Sequence, residues 1–163
     1  MFEIEIRKLL DIEAIRDLRI KYAHYLDANK IDDLTQLFTH DAICVAGRGQ
    51  WSGREQLHKG LSEAFTAYDK HNHGSYPFHH AITNHWVEIL DENTAQGRCY
   101  LLDLSTAGKH EDTPWILLGS YADEYQKVDG QWHISRSHLD ITWPERHVGG
   151  GLPGQDLVLP GRP

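Results

Sequence analysis

Two histidines, His79 and His80, open a segment otherwise made of Ala, Ile, Thr, Trp and Val. Strand alternation puts His80, Ile82, Asn84 and Trp86 on one face, and His79, Ala81, Thr83, His85 and Val87 on the other. An imidazole that faces a dry site can act as a general base near neutral pH. A carboxylate on its second ring nitrogen fixes the tautomer and strengthens the base. Asp27 can supply that carboxylate. It follows the aromatic Tyr22 and Tyr25 at the end of an amphipathic segment, where a lone buried carboxylate costs stability. A solvated helix-end carboxylate and a hydrogen-bonded core histidine are the plainer readings of the same two residues, and residue types alone leave both open.

The remaining motifs narrow the chemistry. There is no glycine-rich phosphate loop, H-E-x-x-H, G-x-S-x-G or C-x-x-C, so acid–base work in a pocket is what remains. His71, His73, His79, His80 and His85 are dense enough to raise a metal site. However, His71 and His73 fall in a loop, His79 and His80 point to opposite faces, and no Asp, Glu or Cys interleaves at ligand spacing. No metal site is expected. Trp86, Tyr100, Trp115, Tyr121 and Trp143 suit a pocket for an aromatic or polycyclic ligand, although large strand aromatics also fill ordinary cores.

The elements that must position these residues follow from periodicity. Ile12, Ile15, Leu18, Tyr22, Tyr25 and Leu26 form the buried stripe of a helix over about 6–27, closed at Asn29. Ile31, Leu34, Leu37 and Phe38 mark a short second helix. Asp41 to Ala46 reads as a strand, broken by Gly47, Gly49 and Gly53 around Trp51. Residues 54–68 return to helix through Leu57, Leu61, Ala64 and Phe65. After a loop at 71–78, strands run over 79–90, 94–104, 115–128 and 131–143. Asp129-Gly130 is the hairpin turn between the last two. Helices followed by a meander of long antiparallel strands predict an α+β fold with a pocket between the helices and a curved sheet.

The chain has 163 residues, 40% hydrophobic and 25% charged, an ordinary globular mix for one domain. Residues 1–143 form that domain, and 144–163 read as a Gly/Pro-rich tail whose apolar Leu157–Leu159 could lie against a neighbouring subunit. The net charge of −8 and the lack of a Lys/Arg run leave no footprint for nucleic acid or anionic membrane. No apolar run approaches the ~20 residues of a membrane span, and the N-terminus lacks the features of a signal peptide. Cys44 and Cys99 read as two buried thiols. The expectation is a cytoplasmic protein.

Six motifs occur in a telling order: Y-x-x-x-x-D at Tyr22–Asp27, Asp41-Ala42, Gly53-Arg54, H-x-x-T-N at His80–Asn84, Y-x-D-E-Y at Tyr121–Tyr125 and D-G-x-W at Asp129–Trp132. In this the chain resembles the SnoaL-like branch of the NTF2-like superfamily over about residues 7–143. That branch includes enzymes of the scytalone dehydratase, hexachlorocyclohexane dehydrochlorinase and bile-acid 7α-dehydratase kind. The resemblance implies a cone-shaped α+β barrel, a curved antiparallel sheet wrapped around three helices, assembled as a homotrimer and working without cofactor or metal. It implies an Asp–His dyad on Asp27 and His80, assisted by Tyr22, with Tyr121 on a pocket-lining position.

Some members bind the leaving group through an Arg on the last strand. Counted from Trp132, that position is Ser137. Arg136 reaches the pocket only through a bulge, and His138 only through a register slip. Arg136, Trp86 and Leu139 complete the candidate substrate contacts. The dehydratases' first-strand Tyr is replaced here by the stretch Ile43, Cys44 and Val45. The expected activity is a cofactor-independent lyase on a hydrophobic aromatic or alicyclic small molecule. An isomerase or polyketide-type cyclase using the same base, and a non-catalytic binding or assembly subunit, are the alternatives.

Overall fold

A computed structural model describes residues 2–47, 49–70, 72–74, 76–105 and 116–144. His71, Trp115, the connection from 106 and the tail beyond 144 lie outside the described residues. The elements are α1 (Phe2–Asp27), α2 (Ile31–Gln36), β1 (Phe38–Ala46), β2 (Gly49–Ser52), α3 (Arg54–Tyr68), β3 (Phe78–Ile89), β4 (Thr94–Ser105), β5 (Ile116–Val128) and β6 (Gln131–Trp143). The first helix begins four residues before the buried stripe predicts. Its opening turns carry exposed Phe2, Ile4, Leu9 and Leu10, which that stripe does not sample. A four-residue strand, β2, occupies the glycine-rich break and pairs Trp51 with Cys44.

The six strands form one curved, unclosed sheet in the order β2-β1-β6-β5-β4-β3. The meander β3 to β6 is antiparallel, as expected. Against expectation, β1 lies parallel to β6, with Ile43, Cys44 and Val45 opposite Arg136, Ser137 and His138. The long connection permits this: β1 and β6 are joined through α3 and the whole meander, and only a short hairpin would require an antiparallel pair. The three helices fill the concave side, with α1 packed on β3 and β6. The core runs from Ile15, Leu18 and Leu26 through Leu34 and Phe38 to Tyr125 and Ile134.

Local chemistry sets the joints. Asn29 sits at φ 55° beyond α1, the left-handed position that Asn tolerates. The Lys30 N–H donates to Tyr25 O at 2.7 Å and the Asn29 N–H to Leu26 O at 3.0 Å, a Schellman closure. Gly53, at φ 83°, donates to Ala42 O at 2.8 Å. Arg54 then donates to Phe38 O through Nε at 2.8 Å, which ties the start of α3 to β1. At the other end Asp11 accepts from Trp132 Nε1 and from Lys127 Nζ, both at 2.8 Å, and anchors α1 to the β5–β6 hairpin. Asp129 and Gly130 both have positive φ, as a primed two-residue turn requires.

Candidate active site

The Schellman closure leaves Asp27 as the last residue of α1, facing β3 across the concave side. The Tyr76 N–H donates to the Asp27 carbonyl at 3.0 Å and holds the approach to β3 against the helix end. Asp27 Oδ1 lies 2.5 Å from His80 Nδ1, and the His80 N–H donates to Asp27 Oδ2 at 3.3 Å. The His80 side chain is only 6% exposed. Because an ionised carboxylate can only accept, Nδ1 carries the proton and Nε2 keeps its lone pair. The Tyr76 ring lies 5.3 Å from the imidazole.

His80 forms part of the wall of a cavity of about 340 Å³. Tyr22 and Leu26 of α1, Leu57 and Ala64 of α3, and Phe38, Cys44, Leu101 and Leu117 of the sheet make it mostly apolar. Strand alternation on β6 turns Ser137, Leu139 and Ile141 inward. Gly60 of α3 lies so close to the Trp51 indole that a Cβ there would stand 2.1 Å from Nε1. The missing side chain is what lets Trp51 line the cavity.

Of the residues named from sequence, the structure brings Tyr22, His80, Tyr121 and Leu139 to this cavity, with Asp27 bonded behind His80. Two others are corrected. Arg136 stays on the outer face, with Nη1 3.4 Å from Glu124 Oε1, while its neighbour Ser137 takes the inward position. Trp86 is 44% exposed and does not line the cavity. The reason lies at Asn84, which adopts φ 52° where the β3–β4 register shifts between Thr83 and Trp86. The extra residue inverts the alternation: Trp86 turns outward and His85 inward. Tyr100 and Trp143 are exposed as well. The cavity takes its aromatic character from Phe38, Trp51, Tyr68, Tyr76 and Phe78.

Asp103 was not singled out from sequence. It sits on β4 directly opposite His80, and its Oδ2 lies 3.7 Å from His80 Nε2. Asp103 lines the cavity, is 6% exposed, and its Oδ1 has no hydrogen-bond partner among the described residues. Burial pushes its carboxyl up to about 6, with His80 opposing the rise and Asp27 adding to it. The signal was a single Asp inside Tyr-Leu-Leu-Asp-Leu, on the same face as Leu101 and Cys99.

This carboxyl sets a pH dependence of stability. Its folded pKa is raised, so the native state binds more protons than the unfolded chain between the ordinary 3.8 and about 6. The contribution of Asp103 to stability therefore falls as pH rises through that window. Asp103→Asn has no proton to lose. It should exceed the wild type by about 2–3 kcal/mol above pH ~6, with the gap shrinking toward pH ~4. Denaturant titrations at both pH values check this.

Beneath the cavity floor lies a second buried network, also unread from sequence. Arg19 donates to Asp123 through Nε at 2.7 Å and through Nη2 at 2.5 Å, and to Ser137 Oγ. Its guanidinium stacks 3.8 Å from the Tyr121 ring centroid and 4.7 Å from that of Tyr22. Burial alone would weaken the guanidinium as a base; Asp123 outweighs it and holds the pKa well above the ordinary value. Tyr125 Oη donates to Asp123 at 2.9 Å and lies 3.1 Å from His85 Nε2. With its own proton given to Asp123, the phenol accepts from His85, so that proton sits on Nε2. Burial pushes His85 down to about 4. Burial also raises Tyr22 and Tyr121, which keeps both phenols protonated at the cavity wall, where they are hydrogen-bonded to each other. Cys44 and Cys99 are free, buried thiols, each pushed up to about 12 by burial.

A curved sheet cupping helices around an apolar cavity is the NTF2-like, cystatin-like architecture. Residues 7–138 match the family model described as a SnoaL-like domain, and the chain belongs to that family. Among solved structures it is similar to a scytalone dehydratase-like protein from Novosphingobium aromaticivorans DSM 12444. That protein is 28% identical with a TM-score of 0.71, over 90% of this chain and 94% of the other. An aromatic ring hydroxylase-like protein from Novosphingobium aromaticivorans is 26% identical with a TM-score of 0.67, over 85% and 94%. The hexachlorocyclohexane dehydrochlorinase LinA-type3 from Novosphingobium barchaimii LL02 shares the fold at 20% identity and a TM-score of 0.73, over 91% and 97%.

Proposed function

We propose that the protein is a lyase that eliminates a small leaving group from a hydrophobic aromatic or alicyclic molecule, with His80 as general base and Asp27 as its orienting partner. The observation that carries this reading is the 2.5 Å contact between Asp27 and His80 Nδ1, on the wall of an apolar cavity. It leaves the basic Nε2 free beside space of about 340 Å³, at the small end of ligand sites and suited to a compact ring compound. In the reaction Nε2 takes a proton from substrate carbon, and the imidazolium is stabilised by the Asp27 charge. The hydrogen-bonded pair Tyr22 and Tyr121 offers one O–H to a carbonyl or leaving group. Similarity to a scytalone dehydratase-like protein supports elimination over other uses of the same base.

Nitrobenzisoxazole is a fitting first probe, since its ring opens once a base removes one carbon-bound proton. Wild type is expected to open it, and His80→Ala to lower the rate by about 10²–10⁴-fold while still binding the probe. An undiminished rate in His80→Ala sinks the reading. The homotrimer belongs to the same proposal. The convex sheet face exposes Ile43, Trp86, Tyr100, Leu104 and Leu118, an apolar set of the kind subunit contacts cover. Light scattering should give three chains; a monomeric mass would refute it. Among the described residues no helix is long and apolar enough to cross a membrane.

A further inference from the structure

The proposed base has an unusual neighbour. His80 lies between two carboxyl groups: Asp27 on Nδ1, and Asp103 beyond Nε2. Asp27 is engaged by the imidazole and by the His80 N–H. Among the described residues nothing engages Asp103 Oδ1, and its Oδ2 is 3.7 Å from Nε2, beyond hydrogen-bond length. The groups that face it are His80 from β3 and Asp27 from α1; the β5 residue paired with it is the apolar Leu117. A buried, unpaired carboxylate facing an apolar cavity is costly, whereas a carboxylic acid there is not.

Resting on the lyase reading, we propose that Asp103 is the general acid of the site and that the leaving group is a hydroxyl. Nε2 of His80 takes the carbon-bound proton, and the C–H electron pair becomes the new C=C bond. The C–O bond breaks with its electrons on oxygen, which takes the Asp103 proton and departs as water. The imidazolium and the Asp103 carboxylate are then left side by side, and the proton passes from Nε2 to Oδ2. Both residues return to their starting forms, and the substrate has lost one water. A halide or a carboxylate leaves without a proton, so only a strongly basic leaving group such as hydroxyl makes use of this acid. The carboxyl held up to about 6 by burial is in keeping with that role.

A phenyl-bearing β-hydroxy ketone and its β-acetoxy counterpart give the same enone, one by loss of water and the other by loss of acetate. Asp103→Asn is expected to slow the hydroxy ketone about 100-fold more than the acetoxy ketone. His80→Ala should slow both alike. In wild-type protein, a carbon NMR titration should place the Asp103 carboxyl midpoint near 6. Equal losses on both substrates, or no loss on either, overturn the acid role. So does a carboxyl that titrates in the ordinary aspartate range, a result that does not depend on how the variant folds. Wild type that turns over the acetoxy ketone alone leaves His80 as a base and refutes Asp103 as the acid. Wild type that turns over neither refutes the lyase reading and the proposal with it.

Discussion

Asp123→Asn should lower the stability of the fold by about 3–5 kcal/mol, the expected effect of removing one partner from a buried ion pair. Both side chains of the Arg19–Asp123 pair are 0% exposed. Neutralising Asp123 strands the guanidinium without solvent, and its Nη1 already lacks a partner among the described residues. Tyr125 would also lose the charge that its hydroxyl meets at 2.9 Å. Pairing Arg19→Met with Asp123→Leu removes both charges and should recover much of the loss, because well-packed apolar replacements of buried pairs are often neutral. Urea unfolding of the single and double variants measures this. A single variant within about 1 kcal/mol of wild type would contradict it. The double variant should still bind small ligands less well, because Arg19 also carries the Tyr121 ring and Ser137 in the cavity floor.

Asp27→Asn is expected to slow elimination by about 10²–10⁴-fold with little change in ligand affinity. The asparagine has two ways to sit, and both fail. With its oxygen on His80 Nδ1, its amide N–H₂ faces the His80 N–H, donor against donor, where Asp27 Oδ2 now accepts. Turned over, it donates to Nδ1 and forces the proton onto Nε2, the nitrogen that must be free. Either way the imidazolium loses its counter-charge. Rates and dissociation constants measured on the same preparation separate the two effects. A rate within about threefold of wild type would show that Asp27 is a helix-end carboxylate and no more.

Much of the scaffold is legible in the chain because it is set by local signals. The 3.6-residue stripe of α1, the left-handed Asn29, the Asp129-Gly130 turn and the long alternating strands each depend on neighbours in sequence. The Asp27–His80 contact is anticipated by residue type and by the resemblance, though not by spacing alone. What is not legible depends on distant partners or on single torsions. Parallel pairing of β1 with β6 has no local signature. The bulge at Asn84 rests on one residue's φ, and it inverts the faces assigned to His85 and Trp86. Arg19 and Asp103 occupy positions where the pattern calls for apolar side chains. Arg19 falls in the stripe between Ile15 and Tyr22, and Asp103 falls between leucines. Those breaks in pattern were the available clue to both buried networks.

The parallel seam between β1 and β6 also governs how the molecule comes together. Strands β3 to β6 are sequence neighbours, and the β3–β4 and β5–β6 hairpins close over short turns; that meander can form early. The β1–β6 seam joins residues near 38–45 to residues near 134–138, so its chain-closure entropy must be met before any of its bonds form. Until then β6 is an edge strand with unpaired backbone groups, open to pairing with another chain. His80 and Asp103 are brought together by the β3–β4 hairpin, whereas Asp27 comes from α1, which packs on β3. The proposed base and its partner meet through this packing of α1 on β3, a long-range contact separate from the β1–β6 seam.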